Sequence, residues 1–126
     1  MRGSRRMGVL TALLVVAVTG CAKGPEKTVE NFYMAIGKGE IKEAQGYLSD
    51  SLVQMLPPAK IAAGMTEQHE KIVRCGGIKN IKVDLEGEGD VRSGTATVSY
   101  RGDCSVDTEN VKLAREEGEW RLQADK

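Results

Sequence analysis

Two hydrophobic periods divide this chain, a helical one up to about residue 77 and a strand-like one beyond it. Pro25 and Glu26 open the first helix, in which Val29, Phe32, Tyr33 and Ile36 fall at i, i+3, i+4 and i+7, the spacing of one helical face. Gly37 and Gly39 stop it, because glycine accepts left-handed dihedrals cheaply. Residues 40–48 predict a second short helix burying Ile41, Ala44 and Leu48. Ser49-Asp50-Ser51 then offers an N-cap for a turn that holds Leu52, Met55 and Leu56. Pro57-Pro58 breaks that turn and starts a longer helix over about 58–73, with Ile61, Met65, His69 and Ile72 aligned. Gly76-Gly77 ends it.

From Ile78 the period becomes two. Ile81, Val83 and Leu85 alternate with polar partners, and Gly87-Glu88-Gly89-Asp90 is a turn signal. Ala96, Val98 and Tyr100 share one strand face, with Thr95, Thr97 and Ser99 on the other. Arg101-Gly102-Asp103 turns again, Val111 and Leu113 mark a third strand, and Trp120, Leu122 and Ala124 a fourth after the turn at 116–119. Consecutive hairpins make an antiparallel sheet, and helices followed by strands give an α+β domain. The apolar sheet face should lie under the helices, while the Thr, Ser, Lys, Arg and Gln face stays wet. That wet face does not support a large apolar dimer interface, so a monomer is favoured. No internal repeat or low-complexity tract is present.

The first residues follow neither period. Met1 to Met7 carries three arginines and no acid, and residues 9–18 read VLTALLVVAV. A basic start, a short apolar run and small residues before a cut mark an export signal. The apolar stretch 9–20 makes roughly 18 Å of helix at ~1.5 Å per residue, too short for a hydrocarbon core of about 30 Å. Val18-Thr19-Gly20-Cys21 resembles the bacterial lipobox. The resemblance implies that Cys21 becomes the N-terminal residue and carries a diacylglycerol on its sulfur. Several acyl chains, at about 0.8 kcal/mol per buried methylene, would hold the chain on a bilayer. The organisation expected is therefore a signal over 1–20, a lipidated tether over 21–25 and one domain over 26–126. Ala22 stands where an Asp resembles an inner-membrane retention mark, which favours the outer membrane, facing the periplasm, in a Gram-negative cell. Ser4-Arg5-Arg6-Met7 also resembles the start of a twin-arginine signal, without the usual aromatic after it.

Charge narrows the partners. The full chain has 18 basic and 18 acidic residues; losing Arg2, Arg5 and Arg6 leaves 15 against 18, a net charge of −3. A mildly acidic domain lacks the cationic field that phosphates require, so no nucleic acid is expected.

Phe32-Tyr33-Met34-Ala35-Ile36-Gly37-Lys38-Gly39-Glu40, with Ala44 and Tyr47-Leu48, is similar to the opening of nuclear transport factor 2-like domains, especially small bacterial lipoproteins. Gly94-Thr95-Ala96-Thr97-Val98, Val111-Lys112-Leu113 and Gly118-Glu119-Trp120-Arg121-Leu122 fit its later strands. The resemblance implies a curved sheet wrapped around helices as a cone that encloses a pocket. The chain is short for the full fold, which points to a missing strand and a small or filled cavity. Enzymes on that fold, ketosteroid isomerase and scytalone dehydratase among them, place an Asp, His or Tyr inside the cone. The candidates here are Tyr33, Tyr47, His69, Tyr100 and Trp120, each of which is equally an ordinary core or rim residue at amphipathic spacing. The expected function is a non-enzymatic envelope lipoprotein that binds a small ligand, a peptide or another envelope protein. The alternative is a lipid-anchored enzyme with an acid or base in the cone.

Two cysteines remain, Cys75 and Cys104. In an exported domain they suggest one disulfide, the alternative being two buried thiols. Both should sit at the same end of the sheet. Strands one and three, two steps of ~4.8 Å apart, exceed the ~7 Å that a disulfide tolerates between Cα atoms, unless Cys75 bends inward over the strand end. Tempting motifs fail on their chemistry. His69-Glu70 starts like H-E-x-x-H, but Val73 stands where the second ligand belongs and the chain has one histidine, so no metal site is expected. Gly87-Glu88-Gly89 joins two strands and its acids would repel phosphate, so no dinucleotide or other cofactor is expected. Arg101-Gly102-Asp103 matches an adhesion tripeptide but reads as a turn.

Overall fold

Among the described residues, four helices pack on one face of a four-stranded sheet. The computed structural model describes residues 24–124. The expected leader, Cys21 and most of the expected tether lie outside the described residues. Helix α1 (Pro25–Gly37) already begins at the last tether position, with proline at its first turn, where a missing N–H costs nothing. It buries Val29, Tyr33, Ala35 and Ile36. Its end is fastened from outside: the His69 ring makes a 2.8 Å hydrogen bond through Nδ1 with the Ile36 carbonyl. The ring lies flush against Gly39, where an added Cβ would meet it at 3.3 Å.

Helix α2 (Ile41–Gln45) is shorter than the predicted 40–48. The chain leaves the helix at Gly46 because a neighbouring strand competes for its backbone. The Leu122 N–H donates to the Tyr47 carbonyl and the Ser49 N–H to the Leu122 carbonyl, both at 2.8 Å. Helix α3 (Asp50–Met55) starts as predicted on Ser49, whose buried hydroxyl accepts from the Leu52 N–H at 3.1 Å. The predicted packing of this turn needs correction. Leu52 reaches the core, but Met55 is 61% exposed, and Val53 and Leu56 are each 39% exposed. Six residues cannot wrap a full face, and Leu56 is extended, as a residue before proline prefers, so the chain swings away. Helix α4 (Pro58–Arg74) returns along α1 and buries Met65 and Ile72.

Four strands follow as a meander, β1 (Ile78–Glu86), β2 (Val91–Tyr100), β3 (Asp107–Glu116) and β4 (Glu119–Gln123), in that spatial order and all antiparallel. Helices followed by this sheet make the α+β fold that the two periods predict. The β3–β4 turn uses two left-handed residues, Glu117 (φ 52°) and Gly118 (φ 83°), the geometry that suits the twist of a two-residue hairpin. Ala96, Val98, Tyr100, Val111, Leu113, Trp120 and Leu122 form the helix-facing core. At the border strand β1, Ile81, Val83 and Leu85 are only half-covered, Lys79, Lys82, Asp84 and Glu86 stay exposed, and the pairing is irregular between Ile78 and Asn80.

Cys75 and Cys104 form a disulfide, with Cα atoms 5.5 Å apart. Gly76 and Gly77, both left-handed (φ 87° and 95°), bend the chain over the end of β2. The Gly102 N–H then donates to the Cys75 carbonyl at 2.8 Å and the Arg101 N–H to the Gly77 carbonyl at 2.9 Å. The segment after β2 thereby crosses back toward Cys75, which removes the strand-spacing obstacle.

Candidate functional site

The helices leave a groove among themselves that reaches strand β3. From α1 come Phe32, Tyr33 and Ile36, from the α3 region Leu52 and Leu56, and from α4 Ile61 and Met65. These residue types face inward because their amphipathic spacing puts them on the core side of each helix. The groove holds about 300 Å³ and opens to solvent between the helices, with Glu109 as its contribution from the sheet. Its polar groups are few: Lys60 and Gln68 on α4, and Glu109 on β3. A second cavity of about 620 Å³ lies on the other side of α3, and Leu48 and Ile61 line both.

Strand β3 supplies the acids. Its helix-facing positions run Asp107, Glu109, Val111 and Leu113, so the face that is apolar at one end becomes acidic at the other. The Tyr33 hydroxyl donates to Glu109 Oε1 at 3.3 Å. The Tyr100 hydroxyl and Lys71 Nζ both donate to Asp107 Oδ2, at 2.6 and 2.5 Å. Lys71 Nζ also lies 5.8 Å from the centre of the Tyr100 ring, within cation–π range.

These contacts set the protonation states. Burial, followed by the nearby Glu109 carboxylate, pushes the Tyr33 phenol well above its ordinary value. Burial and then the bond to Asp107 do the same to Tyr100. Both phenols are neutral donors at physiological pH, not bases. Lys71 first, then Tyr100, hold the Asp107 carboxyl below its usual value, against a smaller opposing effect of desolvation. A lowered carboxyl stabilises the fold above its unfolded value of about 3.9. That contribution disappears as pH falls through the lower folded value. Asp107→Asn should therefore cost up to about 1 kcal/mol at pH 7, since the pair is partly exposed. The gap from wild type should close as pH falls through the lowered folded value of the Asp107 carboxyl. Urea melts at pH 7 and below that value check it; an equal gap at both would mean the carboxylate charge contributes nothing.

The five residues proposed from sequence do not share one pocket. Tyr33 lines the groove, and Tyr100 joins it through the acidic end of β3. His69, though aligned with Ile61 and Met65, turns to the Ile36 carbonyl and secures α1. Tyr47 and Trp120 border a separate cleft of about 520 Å³ beside Thr28, Gly118 and Arg121. There the Trp120 ring is flanked by the guanidinium groups of Arg92 and Arg115, at 5.1 and 5.0 Å from its centre. Arg115 also pairs with Asp90 at 3.2 Å. Sequence reasoning missed Lys60, Lys71, Asp107 and Glu109. For the two acids a signal existed: stepping back by two from Val111 lands on Glu109 and Asp107. Among the described residues no three His, Cys, Asp or Glu side chains are grouped to hold a metal.

Residues 18–123 match a family model described as Domain of unknown function (DUF4878). The chain belongs to this family. No curated protein matches it. This DUF4878 domain is similar in structure to a crystal structure from Campylobacter jejuni, provisionally described as a nuclear transport factor 2-like transpeptidase. The TM-score is 0.72 at 23% identity, over 81% of this chain and 99% of the other. That likeness establishes a nuclear transport factor 2-like fold for the DUF4878 domain, in agreement with the resemblance read from residues 32–48 and 94–122.

Proposed function

We propose that this chain is an exported, lipid-anchored binding module of the bacterial envelope, with its ligand in the groove between α1, α3 and α4. The observation that carries the reading is the groove's chemistry. Its lining is an apolar floor with four polar groups, the Tyr33 hydroxyl, Lys60, Gln68 and Glu109, and among the described residues it contains no Ser, Thr, Cys or His. Ligand sites have this make-up, a mainly apolar surface with a few placed polar groups. Covalent acyl transfer of the kind a transpeptidase performs needs a hydroxyl or thiol nucleophile, and both domain cysteines are bonded to each other. The enzymatic alternative would leave Glu109 as the one carboxylate at the groove, beside a Tyr33 that holds its proton.

The anchor is supported by the leader's charge pattern and by Cys21 following Thr19-Gly20. A disulfide also fits an exported domain. Labelled palmitate should enter the cellular protein and fail to enter Cys21→Ser; equal labelling of both would end the anchor.

Gly64 sits on the groove wall, and an added Cβ there meets nothing within 4 Å. Gly64→Leu should fill the groove while favouring the helix, since leucine outranks glycine there by nearly 1 kcal/mol. An apolar, environment-sensitive dye should bind the wild-type protein and bind Gly64→Leu at least tenfold more weakly, with an unchanged or raised Tm. Equal dye affinity in both would remove the groove as the site.

A further inference from the structure

We infer that the groove receives an extended peptide segment, apolar over about four residues, with an acidic group toward Lys60 and a basic group toward Glu109. This rests on the reading of the groove as a binding site and names what fills it. Lys60 and Gln68 are eight residues apart on α4, about 12 Å along the helix axis. Lys71, one turn beyond Gln68, holds Asp107, which precedes Glu109 by two positions on β3. Glu109 therefore sits at the Gln68 end, and a cation and an anion mark opposite ends of an apolar trench. Among the described residues neither Lys60 nor Glu109 belongs to an ion pair.

Four extended residues at about 3.3 Å each cover that span. Lys60 and Glu109 are both exposed, so a single-headed amphiphile would pair with one of them and gain nothing from the other, whereas a segment charged at each end complements both. The apolar surface also continues outside the groove over Val53 and Met55 and into the cavity beyond α3. A chain molecule can follow it there; a ligand limited to 300 Å³ cannot.

The test uses the full lipidated chain in phosphatidylcholine nanodiscs, with binding to empty discs subtracted. End-blocked, fluorescent peptides carry four leucines or valines between two charged residues: acid–base, acid–acid or base–base. The acid–base peptide should bind wild type about tenfold more tightly than either other, the scale of one charge-assisted contact. Lys60→Glu should shift the preference to base–base, Glu109→Lys to acid–acid, and the double exchange should restore acid–base. Glu109→Gln keeps an acceptor for the Tyr33 hydroxyl and should lose the demand for a base alone. The same peptide ranking in wild type and Lys60→Glu overturns the inference. So does a fatty acid that displaces the dye with an affinity indifferent to residues 60 and 109, which would make this an acyl-chain site. If the dye binds and Gly64→Leu removes it while no peptide binds, the peptide falls and the binding module stands. If neither dye nor peptide binds, both fall.

Discussion

Cys75→Ala with Cys104→Ser should lower stability by about 3–4 kcal/mol, the chain-entropy value for a loop of this length. The bond closes a separation of 29 residues, from the end of α4 across the whole β1–β2 hairpin. Alanine is the choice at position 75 because that site is buried, and a serine hydroxyl there would add an unrelated cost for an unsatisfied polar group. For a domain of about 100 residues, 1 kcal/mol corresponds to about 4–8 °C, so Tm should fall by roughly 12–30 °C. Calorimetry of the oxidised wild type and the double variant measures it. A loss below about 1 kcal/mol would mean that the backbone bonds from Gly102 and Arg101 to Cys75 and Gly77 already order the loop without the sulfurs.

Gly94→Ala should be comparably damaging for a different reason. Gly94 pairs with Leu85 across β1 and β2, and an added Cβ would lie 1.9 Å from the Asp84 carbonyl oxygen. The obstacle is backbone, not a flexible side-chain tip, so the strands must separate or shift register. The cost should reach about 3 kcal/mol or more, at or above the upper end of ordinary overpacking. Gly89→Ala, where the added atom meets nothing within 4 Å, serves as comparison, though its φ of 71° carries a conformational cost of about 1–2 kcal/mol. Urea unfolding of the two variants decides the matter: equal losses would mean that the strands absorb the Gly94 methyl by moving.

Strand faces are legible in this chain because a period of two admits only two assignments, and the run Ala96, Val98, Tyr100 selects one. The disulfide is legible from Cys75 and Cys104 once the leader raises the expectation of export, and the paired glycines at 76 and 77 indicate how the chain reaches over. Helix ends are less so. Residues 46–48 satisfy a helical pattern, but the Tyr47 carbonyl and the Ser49 N–H bond to Leu122, 75 and 73 residues later, and pull the chain out of the helix. The apolar spacing of Leu52, Met55 and Leu56 shows that α3 has a greasy side without showing that only Leu52 is covered. The site was the hardest to read. Tyr33 and Tyr100 are recognisable as candidates, but their partners Glu109 and Asp107 come from a distant strand, and charged residues in a strand ordinarily signal its wet face. His69, the most tempting side chain chemically, serves a carbonyl at a helix end.

Along β1 the exposed positions are charged or polar and the pairing is irregular near Ile78; along β4, only five residues long, residue 48 already takes a place beside Leu122. Among the described residues the β1 rim is nine residues long, so its guard against pairing with another copy is its exposed charges, Lys79, Lys82, Asp84 and Glu86, rather than shortness. Removing those charges, rather than lengthening either border strand, is the change that would invite neighbouring molecules to join edge to edge.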